Sequence, residues 1–178
     1  MIEQLLVFVT VWCAVGCWLG GAVARHVAID NDAASQRAVS RIASAQSVYA
    51  WTWLIGALCV CVHIAASYGY VHHWDHAAAL QATAIESQRV TGISAAWGVY
   101  VNFAFAMIWL FYSAAMLRLR RRLAGWDTAV FLFTGGIVLM ASVVFESGTV
   151  RWMSLAGFAV LAVISLTGRG KKNSINRD

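Results

Sequence analysis

Five long apolar runs set the limits on this chain. They cover about residues 4–24, 47–68, 95–117, 128–145 and 152–167. A helix that crosses a bilayer needs roughly 20 mostly apolar residues. The last run is the shortest, which predicts a short or tilted span. In hydrocarbon an open strand leaves backbone groups unpaired, so helix is the conformation these runs must take. The expectation is all-α: an integral membrane helical bundle of five transmembrane helices, one domain over residues 1–178. The chain has no proline, so no span carries a proline kink.

Composition agrees. The chain is 61% apolar and 12% charged, where a soluble domain has about 45–50% and about 25%. A net charge of +5 could point to nucleic acid, but in a membrane chain it reflects basic cytoplasmic loops. No nucleic-acid partner is expected; the first partner is the lipid bilayer. The basic residues also set orientation. Arg25, Arg37 and Arg41 follow the first run, Arg118, Arg120, Arg121 and Arg122 follow the third, and Arg169, Lys171, Lys172 and Arg177 follow the fifth. The other side has only Arg89 and Arg151. The positive-inside rule therefore puts the N-terminus outside and the C-terminus in the cytoplasm. Trp51, Trp53, Trp97, Trp126 and Trp152 fall near run ends, where amphipathic rings prefer to sit.

Ala22–Ala24 resembles a signal-peptidase site. The preceding n-region lacks a basic residue and carries Glu3, so an uncleaved first span is expected. Cys13, Cys17, Cys59 and Cys61 all lie inside apolar runs, a poor placement for a disulfide framework. They should behave as small hydrophobes.

The outward connection between runs two and three carries the chemistry. Three of the five histidines lie within residues 72–76, beside Trp74 and Asp75. The following stretch is rich in alanine, which predicts a helix over about 72–90, ended by Gly92. On such a helix His72 and His76 are i, i+4 partners on one face, with Thr83 and Ser87 continuing the polar stripe. An i, i+4 histidine pair suits two nitrogen ligands on one transition metal ion, with zinc, copper and iron all open. Asp75 or Glu86 could be a third ligand or a supporting partner. The alternative is an interfacial amphipathic helix with its histidines at headgroup level. The glutamate of the zinc-protease motif is missing, its place taken by His73, so no protease is proposed.

Deeper in the same leaflet, His63 and Asn102 fall at matching depth in runs two and three. Polar groups at that depth usually face the bundle interior. His63 and Asn102, with Cys59 one helical turn from His63, could form a buried site, or His63 and Asn102 could simply hydrogen-bond across two helices. Haem b ranks below a bare metal ion, because runs three to five contain no histidine to supply a second axial ligand. Glu86 and Arg89 are spaced to pair as i, i+3. Glu146 and Arg151 flank the turn between runs four and five as anchors. Arg118–Arg122 read as a topology determinant that can attract anionic lipid. Gly16 with Gly20, and Gly135 with Gly136, predict close helix packing, within the chain or in a homo-oligomer.

The positions His72, Trp74, His76, Thr83, Tyr100, Asn102 and Trp109 resemble a pattern in a group of uncharacterised bacterial membrane proteins. There a His-x-Trp-x-His segment precedes an alanine-rich helix and a Tyr-Val-Asn sequence opens the next span. The likeness covers about 40 residues, and Asp75 stands where that pattern has serine. It implies no activity. It does imply a bacterial cytoplasmic (inner) membrane, and one site shared by the loop and Asn102, with Tyr100 as a supporting residue. The sequence supplies no nucleophile–base pair, phosphate loop or dinucleotide fingerprint, so whether the protein is an enzyme stays open. The expected function is an outer-face metal-binding, redox-capable site on His72, His76, His63 and Asp75. The alternatives are an accessory subunit bound to other membrane subunits and, ranked last, a small proton-coupled transporter.

Overall fold

The computed structural model describes residues 2–30, 36–145 and 148–175, with side chains described over 5–28, 44–123, 125–145, 148 and 151–164. Among the described residues every regular element is helical. In chain order these are α1 (Ile2–Asp30), α2 (Gln36–Ala66) with a π-helical turn over Ser67–Val71, α3 (His76–Thr91), and α4 (Gly98–Leu119). They are followed by α5 (Ala124–Leu139) with a second π turn over Met140–Val144, and α6 (Thr149–Ile175). Four helical stretches are long and apolar enough to cross a membrane: Leu5–Ala28, Ser44–Val71, Gly98–Leu119 and Gly125–Val144. The apolar part of α6, Arg151–Ile164, is shorter. Glu146 lies outside the described residues. Cys13, Cys17, Cys59 and Cys61 are free thiols.

The helices pack through aromatic side chains set against glycine. α1 lies along α2, α2 along α4, and α1 also meets α6. At the centre, Trp53 is fully buried and its ring centroid lies 4.8 Å from Tyr49 and 5.9 Å from both Trp109 and Tyr112. Edge-on contacts of this kind add about 0.5–1.5 kcal/mol each beyond area burial. Trp53 is therefore a core residue and not an interfacial ring. Trp51, Trp97, Trp126 and Trp152 are more than half exposed, as interfacial residues should be.

Gly21 explains the difference. A β-carbon there would run into the Trp53 indole, so the missing side chain is what lets α1 close on α2. Gly135 does the same for Trp18, whose Cζ2 would lie 2.7 Å from an added β-carbon. Trp18 Nε1 donates to Thr134 Oγ1 at 3.0 Å, which holds the ring over that glycine. By contrast, nothing lies within 4 Å of a β-carbon at Gly16, Gly20 or Gly136. Among the described residues the expected G-x-x-x-G pair makes no close helix contact.

Leu5, Phe8, Ile55, Leu58, Met107, Phe111 and Leu132 are all well exposed around the bundle. That much uncovered apolar surface is the mark of a lipid-facing belt.

Candidate functional site

The histidine segment does not form one helix. His73 and Trp74 have φ of 50° and 63°, left-handed values uncommon outside glycine. Trp74 N–H donates to Tyr68 O and Asp75 N–H to His72 O, both at 2.8 Å. The helix starts only at His76, because Asp75 caps it: its Oδ1 accepts from Ala77 N at 2.8 Å and Ala78 N at 3.2 Å. Such a cap satisfies backbone donors that the first helical turn cannot. The expected shared face of His72 and His76 is therefore absent. Asp75, placed among the candidate ligands, spends one carboxylate oxygen on the cap. At the other end Gly92 stops the helix as expected, with φ of 76° and its N–H on Gln88 O.

His76 bridges three elements. Its Nδ1 lies 3.1 Å from Tyr68 Oη at the end of α2, and its Nε2 lies 3.1 Å from Tyr100 Oη on α4. A neutral imidazole offers one donor and one acceptor, so one tyrosine donates to the ring and the other accepts from it. Both nitrogens are engaged, which leaves no lone pair facing outward for a metal. His72 instead meets the Tyr68 ring edge-on, with centroids 6.0 Å apart. Among the described residues, no three or more histidine, cysteine, aspartate or glutamate side chains are grouped so as to hold a metal ion.

Beneath α3 is a cavity of about 1210 Å³, larger than the usual small-molecule site of about 300–1,000 Å³. All four long helices, α3 and α6 contribute to its wall. His63, Asn102, Thr83 and Glu86 line it; His72, Asp75, His76 and Tyr100 do not. His63 does not bond to Asn102. Its Nδ1 lies 3.0 Å from Val7 O on α1. A carbonyl can only accept, so Nδ1 carries the proton in this contact. Thr83 packs by its methyl against Gly98, which seats α3 on the start of α4. Ser87 Oγ accepts from Ala95 N at 2.8 Å and fastens the far end. Glu86 pairs with Arg89 as the spacing predicts, at 2.9 Å from Nε. That hydrogen bond holds its carboxyl below the usual range and raises the guanidinium.

Tyr70, Ser87, Thr91 and Ser142 also line the cavity, together with three residues that sequence reasoning did not place in the site. Trp12, Trp109 and Ser154 line it, and Trp12 Nε1, Trp109 Nε1 and Ser154 Oγ are buried with no hydrogen-bond partner among the described residues. Trp109 is 0% exposed and Ser154 2%. Most buried donors in proteins are paired. An indole in mid-span, far from the interfaces where tryptophan collects, was the available signal for Trp109. Ser154 gave none.

A second polar group lies at the opposite end of the bundle and was also missed. Asp127, 1% exposed, accepts from Tyr112 Oη at 2.6 Å and Tyr49 Oη at 3.2 Å. Its Oδ2 lies 2.7 Å from Arg25 Nε and 3.5 Å from Arg122 Nη1. Arg25 also donates to Thr128 at 3.2 Å and stacks over Phe131 at 4.4 Å. The signal was a lone carboxylate at the start of an apolar run, which must find a cation or be very costly. This group ties α1, α2, α4 and α5 together.

Comparison with family models, with curated proteins and with solved structures gives no match to this chain.

Proposed function

We propose that this is a five-span protein of a bacterial cytoplasmic membrane that takes a lipid-like molecule from the bilayer into the cavity beneath α3. The carrying observation is the cavity itself: about 1210 Å³ with a mainly apolar wall drawn from six helices. A wall of that kind suits a long apolar chain with a small polar part. The basic residues support the orientation, with the N-terminus and α3 outside and Asp127 near the cytoplasmic face. The apolar stretch Arg151–Ile164 would be the short fifth span. In this frame α3 is a lid at the outer surface, held by the His76 bridge. The cap on α3, which engages Asp75, and the start of that helix after His72 favour this reading over a metal centre on His72, His76, His63 and Asp75.

The test is native mass spectrometry of protein extracted in mild detergent. A bound adduct of lipid mass is expected on the wild type. It should be reduced in Val101→Trp, which puts a larger ring into the cavity lined by Val101, while that variant stays folded by circular dichroism. A wild type without adduct sinks the reading.

A further inference from the structure

The cavity is about one leaflet deep. On α4 its wall runs from Gly98 to Trp109, a rise of roughly 16 Å at about 1.5 Å per residue. That is about half of a hydrocarbon core of ~30 Å, the depth open to the chains of a lipid in one leaflet. Its roof is the face of α3 that carries Thr83, Glu86, Ser87 and Thr91, residues brought together by three- and four-residue spacing. Ser87 and Thr91 are engaged locally. Ser87 Oγ donates to Ala84 O and accepts from Ala95 N, and Thr91 Oγ1 donates to Ser87 O. Glu86 is different. Its side chain is 43% exposed, and that of its partner Arg89 is 68% exposed. Solvent screens an ion pair this open, so it contributes little to stability and both charges stay within reach of a ligand.

We infer that the occupant is a glycerophospholipid whose zwitterionic head carries a primary ammonium, with the ammonium on Glu86 and the phosphate on Arg89. The inference rests on the lipid-binding reading above and adds to it the class of head group. An ammonium brings three donors and no acceptor, the complement of an ionised carboxylate. A guanidinium fork matches the oxygens of a phosphate. Side chains three apart on a helix stand about 5–6 Å from one another at the β-carbon, and a phosphate and an ammonium joined by two carbons span a comparable distance. The head can thus share both partners of the Glu86–Arg89 pair and set four charges in alternation. One turn into α4, Asn102 is exposed and also lines the cavity. Its amide N–H groups can donate to a glycerol ester carbonyl beneath the phosphate. Val15, Phe105 and Val138 offer apolar wall to the chains.

The experiment uses delipidated full-length protein in mild detergent and three probes of equal chain length: dilauroyl phosphatidylethanolamine, phosphatidylcholine and phosphatidylglycerol. Binding is read by native mass spectrometry. The ethanolamine lipid should bind about tenfold more tightly than the glycerol lipid, which brings no cation to Glu86. It should bind about threefold more tightly than the choline lipid, whose quaternary ammonium has no hydrogen to donate. Glu86→Gln should bring the ethanolamine and choline lipids to within about twofold of each other. Glu86→Arg/Arg89→Glu keeps an ion pair on α3 but puts the cation at the position that lines the cavity, so the preference should turn to the glycerol lipid. A pair that only braced the helix would leave the order unchanged. Both side chains are exposed, so these variants spare the packed core, which circular dichroism checks. Binding of the glycerol or choline lipid as tightly as the ethanolamine lipid, or a swapped variant with the wild-type order, overturns the inference. If the protein as extracted carries a lipid adduct but all three probes bind alike, the head assignment fails while the lipid-binding reading stands. If there is no adduct and no probe binds, both fail.

Discussion

Arg25 and Asp127 stand 102 positions apart in sequence, yet Arg25 Nε lies 2.7 Å from Asp127 Oδ2. The carboxylate is almost wholly buried and the guanidinium is mostly so. This contact links the end of the first span to the start of the fourth. Arginine suits it better than lysine would, because its fork reaches Asp127 and Thr128 together.

Removing one partner of a buried pair strands the other, at a cost of about 3–5 kcal/mol. Asp127→Ala should therefore lower the thermal midpoint of the detergent-solubilised protein well below that of any exposed arginine variant. Arg118→Ala is the comparison, since Arg118 is exposed. Equal midpoints for the two variants would show that the buried group is not holding the helices together.

Two glycines on the bundle should respond with opposite sign. Gly135→Ala places a β-carbon 2.7 Å from Trp18 Cζ2, and forcing the ring aside should cost about 1–3 kcal/mol. Gly16→Ala meets open space and should gain up to about 1 kcal/mol of helix propensity. Paired thermal melts check this. A destabilised Gly16→Ala would point to a partner helix on that face.

The cap on α3 is separable from any ligand function of Asp75. Asp75→Ala should cost about 0.5–2 kcal/mol, and Asp75→Ser or Asp75→Asn should recover most of it. The loss should appear as faster hydrogen exchange at Ala77 and Ala78, whose N–H groups the carboxylate accepts. Unchanged exchange at these two amides would remove the cap.

The His76 bridge predicts loosening without loss of metal. His76→Ala breaks both tyrosine contacts, and α3 should exchange faster along its first two turns. Metal content, measured by mass spectrometry of the purified protein, should be the same in the wild type and in His72→Ala/His76→Ala. Stoichiometric zinc, copper or iron that vanished in the double variant would bring the metal reading back.

Much of the fold was legible in the sequence because hydrocarbon leaves a chain few choices. Apolar length and the need to pair every backbone group inside the membrane located the four long apolar stretches to within a few residues at each end, though α2 itself begins earlier, at Gln36. Gly92 marked the end of α3, and i, i+3 spacing paired Glu86 with Arg89. The start of α3 was not legible in the same way. Alanine content extends a helix backward through His72, and nothing local favours the left-handed turn at His73 and Trp74 over that helix. The hydrogen bonds from Trp74 and Asp75 back to Tyr68 and His72, and the cap on α3, hold the turn.

What the sequence by itself determined was the solvent of this protein: which segments are apolar enough to meet lipid. What only the tertiary structure decided was which polar groups inside those segments meet. Trp53 and Trp126 both read as interfacial, yet one is at the core and the other 70% exposed, because Gly21 of another helix receives the first. Asp127 finds Arg25, His63 finds a backbone carbonyl, and Trp109 Nε1 and Ser154 Oγ find no partner among the described residues. Hydropathy is a property of each segment alone, whereas hydrogen-bond partnership between helices depends on rotation and depth, which no single segment encodes.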